Sequence, residues 1–158
     1  MISTLALMIQ LNRKRSDMAH KHLEVTRLEY DLRLSQEKQC SHELRLHQDM
    51  LEARQKQLQQ MLQHPVRSDN LLTENFHIQN LKVACHKSLL ELKTAQAFTQ
   101  QTSAEYSQAK AVFLKFITKM EACKSEYQKI QAEEIQRIEK KTEHELEDNF
   151  CKSTRSLS

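Results

Sequence analysis

Pro65 is the only proline in a chain of 158 residues that contains no glycine. Glycine supplies the positive φ of tight turns and helix C-caps, and it lets backbone approach a bound phosphate. Average usage would put roughly 11 glycines in a chain of this length. Without them a turn-rich fold is excluded, as are the phosphate-cradling loop of P-loop proteins and the dinucleotide-binding fingerprint. The chain is instead rich in Gln, Lys, Glu, Leu, Arg and Ala, all good helix formers. Few turns and many helix formers require few, long helices.

Proline marks where those helices divide. It disfavours helical geometry at the residue before it and has no N–H to donate. The stretch His64-Pro65-Val66-Arg67-Ser68-Asp69 is therefore read as a turn over 64–69, between helix 1 at 1–63 and helix 2 at 70–150. Ser68 or Asp69 is expected to cap helix 2 by accepting a backbone N–H. The polar tail 151–158 is expected to be disordered. A connection of about six residues is typical of antiparallel neighbours.

Helix 2 carries the clearest pattern. From Ile78, every seventh residue gives Cys85, Leu92, Thr99, Tyr106, Phe113, Met120 and Tyr127. A second series runs Leu81, Ser88, Ala95, Thr102, Ala109, Phe116, Cys123 and Ile130. Alternating spacings of three and four place both series on one face, the seam of a coiled coil over 78–130. Thr99 and Thr102 form a polar layer in it, which can fix register at some cost in stability but is read first as a weak spot without a dedicated role. Beyond Ile130 the pattern loosens into a charged extension, 131–150. With the turn centred near residue 67, position i of helix 1 lies across from about 134 minus i. Helix 1 then covers helix 2 to about residue 130, where the regular heptad stops. The predicted fold is all-α: two long helices forming an antiparallel coiled-coil hairpin, part of a larger helical bundle.

Helix 1 offers two competing series. Leu11, Met18, Val25 and Leu32 recur every seven, with Leu28 beside them, while Leu23 and Tyr30 begin a second series that resumes as Leu44, Leu51 and Leu58. Polar residues over 35–39 separate them. The expectation is that the seam moves around the helix near residue 37, as a heptad insertion would make it do.

Chemistry-bearing constellations are missing from the pattern. His20 and His22 are two apart and His42 and His47 five apart, neither the i, i+4 spacing of a helical zinc pair, and no cysteine pair has C-x-x-C spacing. No catalytic residue, cofactor site, metal site or small-molecule substrate is predicted; the chain is not expected to be an enzyme. The net charge of +3 comes from 24 basic and 21 acidic residues that are interspersed, a solvated helix surface rather than a nucleic-acid footprint. Four cysteines without a convincing signal peptide are expected to be free thiols in an intracellular setting, cytoplasmic or nuclear. Residues 2–11 are mostly apolar but supply about half of the roughly 20 residues a membrane span needs.

The strongest pointer to function is Val112-Phe113-Leu114-Lys115-Phe116-Ile117. Its apolar residues cover about 200° of helix circumference. Phe113 and Phe116 belong to the seam; Leu114 and Ile117 are expected to turn away from it, toward a further helix. With Phe98 and Val112 they are the candidate partner interface. The expected partner is a helical protein, either a second copy or a different chain. The function read from this is a structural or adaptor coiled-coil subunit of an intracellular assembly. Cytoskeletal, centrosomal and chromosomal settings follow only from where coiled coils are common. The alternatives are a membrane-peripheral helical protein docking through residues 2–15 and, third, a helical nucleic-acid-binding protein using Arg13-Lys14-Arg15.

Overall fold

The structure, a computed structural model, describes the backbone of residues 2–155 and the side chains of residues 3–147. It is an all-α hairpin of two long helices, α1 (Ile2–Met61) and α2 (Ser68–Arg155). The turn sits at Leu62–Arg67, two residues earlier than expected, and α2 reaches five residues past the expected end at Phe150. Residues 156–158 of the expected tail lie outside the described residues. The reversal needs no left-handed residue: no positive φ occurs among the described residues, and the last turn of α1 tightens through Gln63 N–H to Gln60 O and His64 N–H to Met61 O. Ser68 and Asp69 fall inside the first turn of α2 rather than at its cap. The Arg67 carbonyl already accepts from Asn70 and Leu71, which makes Arg67 the capping position. Asp69 contributes a negative charge at the helix N-terminus, where the macrodipole favours it.

The chain divides into two compact units. The unit of residues 22–109 contains the turn. Here α1 is covered at Leu23, Tyr30, Glu37, Leu44, Leu51 and Leu58, with Thr26, Arg33, Cys40, His47, Arg54 and Met61 between them. The spacing of three and four runs without interruption, so the expected shift near residue 37 does not occur. Val25, Leu28 and Leu32 are exposed instead. The reason lies next to the turn. Leu44, Leu51 and Leu58 fix which face of α1 meets α2 there, and a straight helix keeps that phase through residue 23. On α2 the opposing face carries Ile78, Leu81, Cys85, Leu92, Ala95, Tyr106 and Ala109, all buried or half-buried.

Much of this seam is polar; some of its polar groups pair across it and others bond carbonyls of their own helix. His47 Nδ1 lies 2.8 Å from Ser88 Oγ. Arg54 Nη1 donates to both carboxylate oxygens of Glu74, at 2.9 and 3.3 Å. The Thr99 hydroxyl lies within reach of the carbonyls of Ala95 and, across the seam, Arg33, at 3.0 and 3.3 Å. The Thr102 hydroxyl reaches the carbonyls of Phe98 and Thr99. Tyr30 and Tyr106 stack with ring centroids 6.0 Å apart. The register matches the sequence expectation, which placed His47 across from about residue 87.

The second unit joins residues 1–21 to residues 110–158. Leu5, Ile9, Asn12, Ser16 and Ala19 of α1 are covered; Leu11 and Met18 are exposed. On α2, Phe113, Phe116, Met120, Cys123, Tyr127 and Ile130 line the seam. Asn12 Nδ2 donates to Cys123 Sγ at 3.8 Å, and the rings of His20 and Phe113 lie 5.3 Å apart. From residue 131 to residue 147 every residue is exposed.

Candidate functional site

Two helices cannot bury much. Among the described residues the only buried apolar residues are Leu44, Ile78 and Ala109, and no large side chain is buried completely. The accessible surface is 12790 Å² for an 18.7 kDa chain. A compact monomer of that mass exposes about 8,300 Å². An elongated hairpin exposes more of every residue type, and among the exposed residues are large apolar side chains such as Leu28, Leu72, Phe76 and Val83; the outward faces that carry them are the candidate functional site.

The sequence-predicted interface residues divide between the two units. In the unit of residues 22–109, Phe98 stands half out of the surface, with the guanidinium of Arg33 5.0 Å from its ring centroid. That cation–π contact accounts for how Arg33 sits at a covered seam position. One of its groups, Nε, is buried without a hydrogen-bond partner, while Nη1 donates to Gln36. Phe98, Leu90, Cys40 and Ala95 line a shallow groove whose rim carries Glu43, Lys87 and Glu91.

In the other unit, Val112 and Leu114 are exposed, Leu114 at 51%. Ile117 is different: it is half-buried and lines a groove with Ile9, Phe113 and Met120, bordered by Arg13, Asp17, His20 and Lys124. Its expected position away from the seam is thereby corrected. A residue next to the seam residue Phe116 is partly sheltered by the neighbouring helix, and 100° of rotation does not carry it clear. Phe98 thus belongs to one unit, and Val112, Leu114 and Ile117 to the other.

Sequence reasoning missed a second set of exposed apolar residues. Val25, Leu28 and Leu32, expected in the seam, form an outward stripe spaced by three and four. Phe76 and Val83 on α2, and Ile135 and Ile138 in the extension, are also exposed. The signal for the latter pair was present: both stand off the row that continues the seam past Ile130.

Cys40, Cys85 and Cys123 are free thiols, each half-buried; Cys151 lies outside the residues whose side chains are described. Among the described residues no three His, Cys, Asp or Glu side chains converge as metal ligands. Nor is any described helix long and apolar enough to cross a membrane. The exposed pair Glu52 and Lys56, 2.7 Å apart, shift each other. The hydrogen bond from Lys56 holds the Glu52 carboxyl below its ordinary range, and the same bond raises the Lys56 ammonium.

Comparison with protein-family models, curated proteins and solved structures returns no match.

Proposed function

We propose that this chain is a coiled-coil interaction protein that works as a structural or adaptor subunit, offering outward helix faces to helical partners. One observation carries the reading: apolar side chains that a two-helix hairpin leaves in water, on a chain with far more exposed area than its mass requires. Burying a large aliphatic side chain is worth roughly 1.5–3 kcal/mol, so a partner helix on these faces has a ready source of affinity. The polar seam fits the same role. Hydrogen-bonded layers set the register of the pair, leaving the outward faces at defined positions. Binding rather than catalysis is the proposed activity, and an intracellular assembly the proposed setting.

The test uses the full chain with substitutions made separately in each unit. Phe98→Glu with Leu90→Glu alters one surface, and Val112→Glu with Leu114→Glu the other. Wild-type chain recovered from cells by affinity tag should carry a partner in fixed proportion, either another copy or a different protein. At least one variant pair should lose it while keeping its helicity by circular dichroism. Recovery of wild type as a single copy, bare of any stoichiometric partner, would end this reading.

A further inference from the structure

We propose that the outward face of α1 between Leu7 and Lys21, in the unit of residues 1–21 and 110–158, docks on a lipid bilayer that carries anionic headgroups. Its residues are separate from Leu90, Phe98, Val112 and Leu114, which are offered to a helical partner.

The phase of α1 decides what this face holds. Leu5, Ile9, Asn12, Ser16 and Ala19 are covered against α2. The opposite side of the helix is the row Leu7, Leu11, Lys14, Met18 and Lys21, spaced by four and three and exposed throughout. Leu7 is 65% exposed and Met18 64%. Met8 and Arg15 border the row on one side, Gln10 and Asp17 on the other. Over about 21 Å of helix, large apolar residues are interleaved with basic ones, and Asp17 at the border is the one carboxylate. Among the described residues no carboxylate forms an ion pair with Lys14, Arg15 or Lys21.

The positive charge of the chain is concentrated in the same unit. Residues 1–21 and 110–130 hold nine Lys or Arg against Asp17, Glu121 and Glu126. Residues 22–109 hold ten basic and eleven acidic residues. Anionic lipid attracts a basic segment, and each Lys or Arg near the surface adds to the binding.

The interleaving selects among anionic partners. A partner helix would place this row in a dry seam, where Lys14 and Lys21 would lose the water around their ammonium groups. Nucleic acid would offer phosphates to the lysines but nothing to Leu7, Leu11 and Met18, and no Phe, Tyr or Trp stands here to stack on a base. A bilayer interface takes both kinds at once. Leucine and methionine enter the acyl boundary while the long basic side chains bend back to the headgroups. A helix lying in the interface needs no spanning length, and α1 has none. In the unit of residues 22–109 the outward row of α1 is Val25, Leu28 and Leu32, with Glu24, Glu29 and Asp31 beside it. Anionic lipid repels those carboxylates, so that stretch is an internal control.

Co-flotation of the full chain with vesicles tests this. Wild type should float with vesicles of equal parts phosphatidylserine and phosphatidylcholine, stay behind with phosphatidylcholine alone, and come off as salt is raised. Lys14→Glu with Lys21→Glu should weaken binding at least about a hundred-fold. Leu11→Ser with Met18→Ser keeps every charge and should weaken it at least about tenfold through lost apolar contact. Both pairs should keep their helicity by circular dichroism, and Val25→Ser with Leu28→Ser should float like wild type. Wild type that stays behind in the presence of phosphatidylserine overturns the inference and leaves the proposed function to its own test. Binding unchanged by the Leu11 and Met18 changes means charge attraction without an inserted face, and overturns it too. So does loss of binding in the Val25 pair, or retention of duplex DNA in place of vesicles. Release of a stoichiometric protein partner by the Lys14 and Lys21 changes, with no flotation of wild type, assigns the face to an acidic helix instead.

Discussion

Ile78, at 4% exposure, and Ser88, also at 4%, belong to the two different series of the α2 seam and show what single residues contribute here. Ile78 fills space between helices. Ile78→Ala should cost about 2–4 kcal/mol through lost burial and the cavity left behind, read as a lowered urea midpoint. Ser88 meets His47, so Ser88→Ala leaves the imidazole without that partner, at about 1 kcal/mol. An Ile78→Ala midpoint equal to wild type would mean that the seam does not pass through residue 78. Both α2 residues were legible in the heptad. The pairing with His47 was not, because it depends on which face of α1 turns inward. Glu52 and Lys56 stand at the other extreme. The depressed carboxyl favours the folded chain above its ordinary range and loses that contribution as pH falls through its lowered value. The pair is exposed and screened, so Glu52→Gln should leave the acid side of the stability curve nearly unchanged.

At the scale of the element, α1 tests how far apolar patterning can be trusted. Its most regular apolar series includes Val25 and Leu32, and both point into solvent. The covered face includes Thr26, Arg33, Glu37, His47 and Arg54, residues that a binary reading assigns to the surface. Two things made this face the inner one. Leu44, Leu51 and Leu58 set the phase beside the turn, and the polar residues found partners on α2: Ser88 for His47, Glu74 for Arg54, the Phe98 ring for Arg33. Such partners are properties of the pair and cannot be read along one helix. Val25→Glu with Leu28→Glu should therefore change the unfolding midpoint little, within about 0.5 kcal/mol for surface sites. Leu23→Ala with Leu44→Ala should lower it by several kcal/mol. The reverse ordering in a denaturant series would show that the Val25 row faces α2. The α2 seam, by contrast, was legible nearly residue for residue, because its apolar and small residues leave one face to choose.

For the whole molecule, the hairpin followed from sequence through a few constraints acting together: no glycine, one proline, a short connection and helices of unequal length. The same reasoning located the end of the paired region near Ile130. It did not find where the surplus apolar surface lies, since that required the phase of α1 and the half-sheltered position of Ile117. The topology gives a direct measurement. Spin labels at Leu51 and Val83 should report a short distance within one chain, tested by diluting labelled protein with unlabelled. A distance that disappears on dilution would assign the contact to two chains and exclude the intramolecular hairpin.

The hydrogen-bonded layers between residues 22 and 109 also make this unit respond differently to different directions of pull. Anchors at Val25 and Glu105 sit at the same end of the pair. Tension there reaches the layers in succession, Arg33 with Thr99 first and then His47 with Ser88, and each opens alone. Anchors at Val25 and Leu72 sit at opposite ends, and the same tension bears on all the layers together, because sliding by one heptad would break every cross-seam bond at once. Optical-trap extension of the two attachments should give low-force stepwise opening in the first geometry and a single rupture at markedly higher force in the second. Equal forces would mean the polar layers do not lock the register, and a linkage that can slide could not hold its outward faces in place under load.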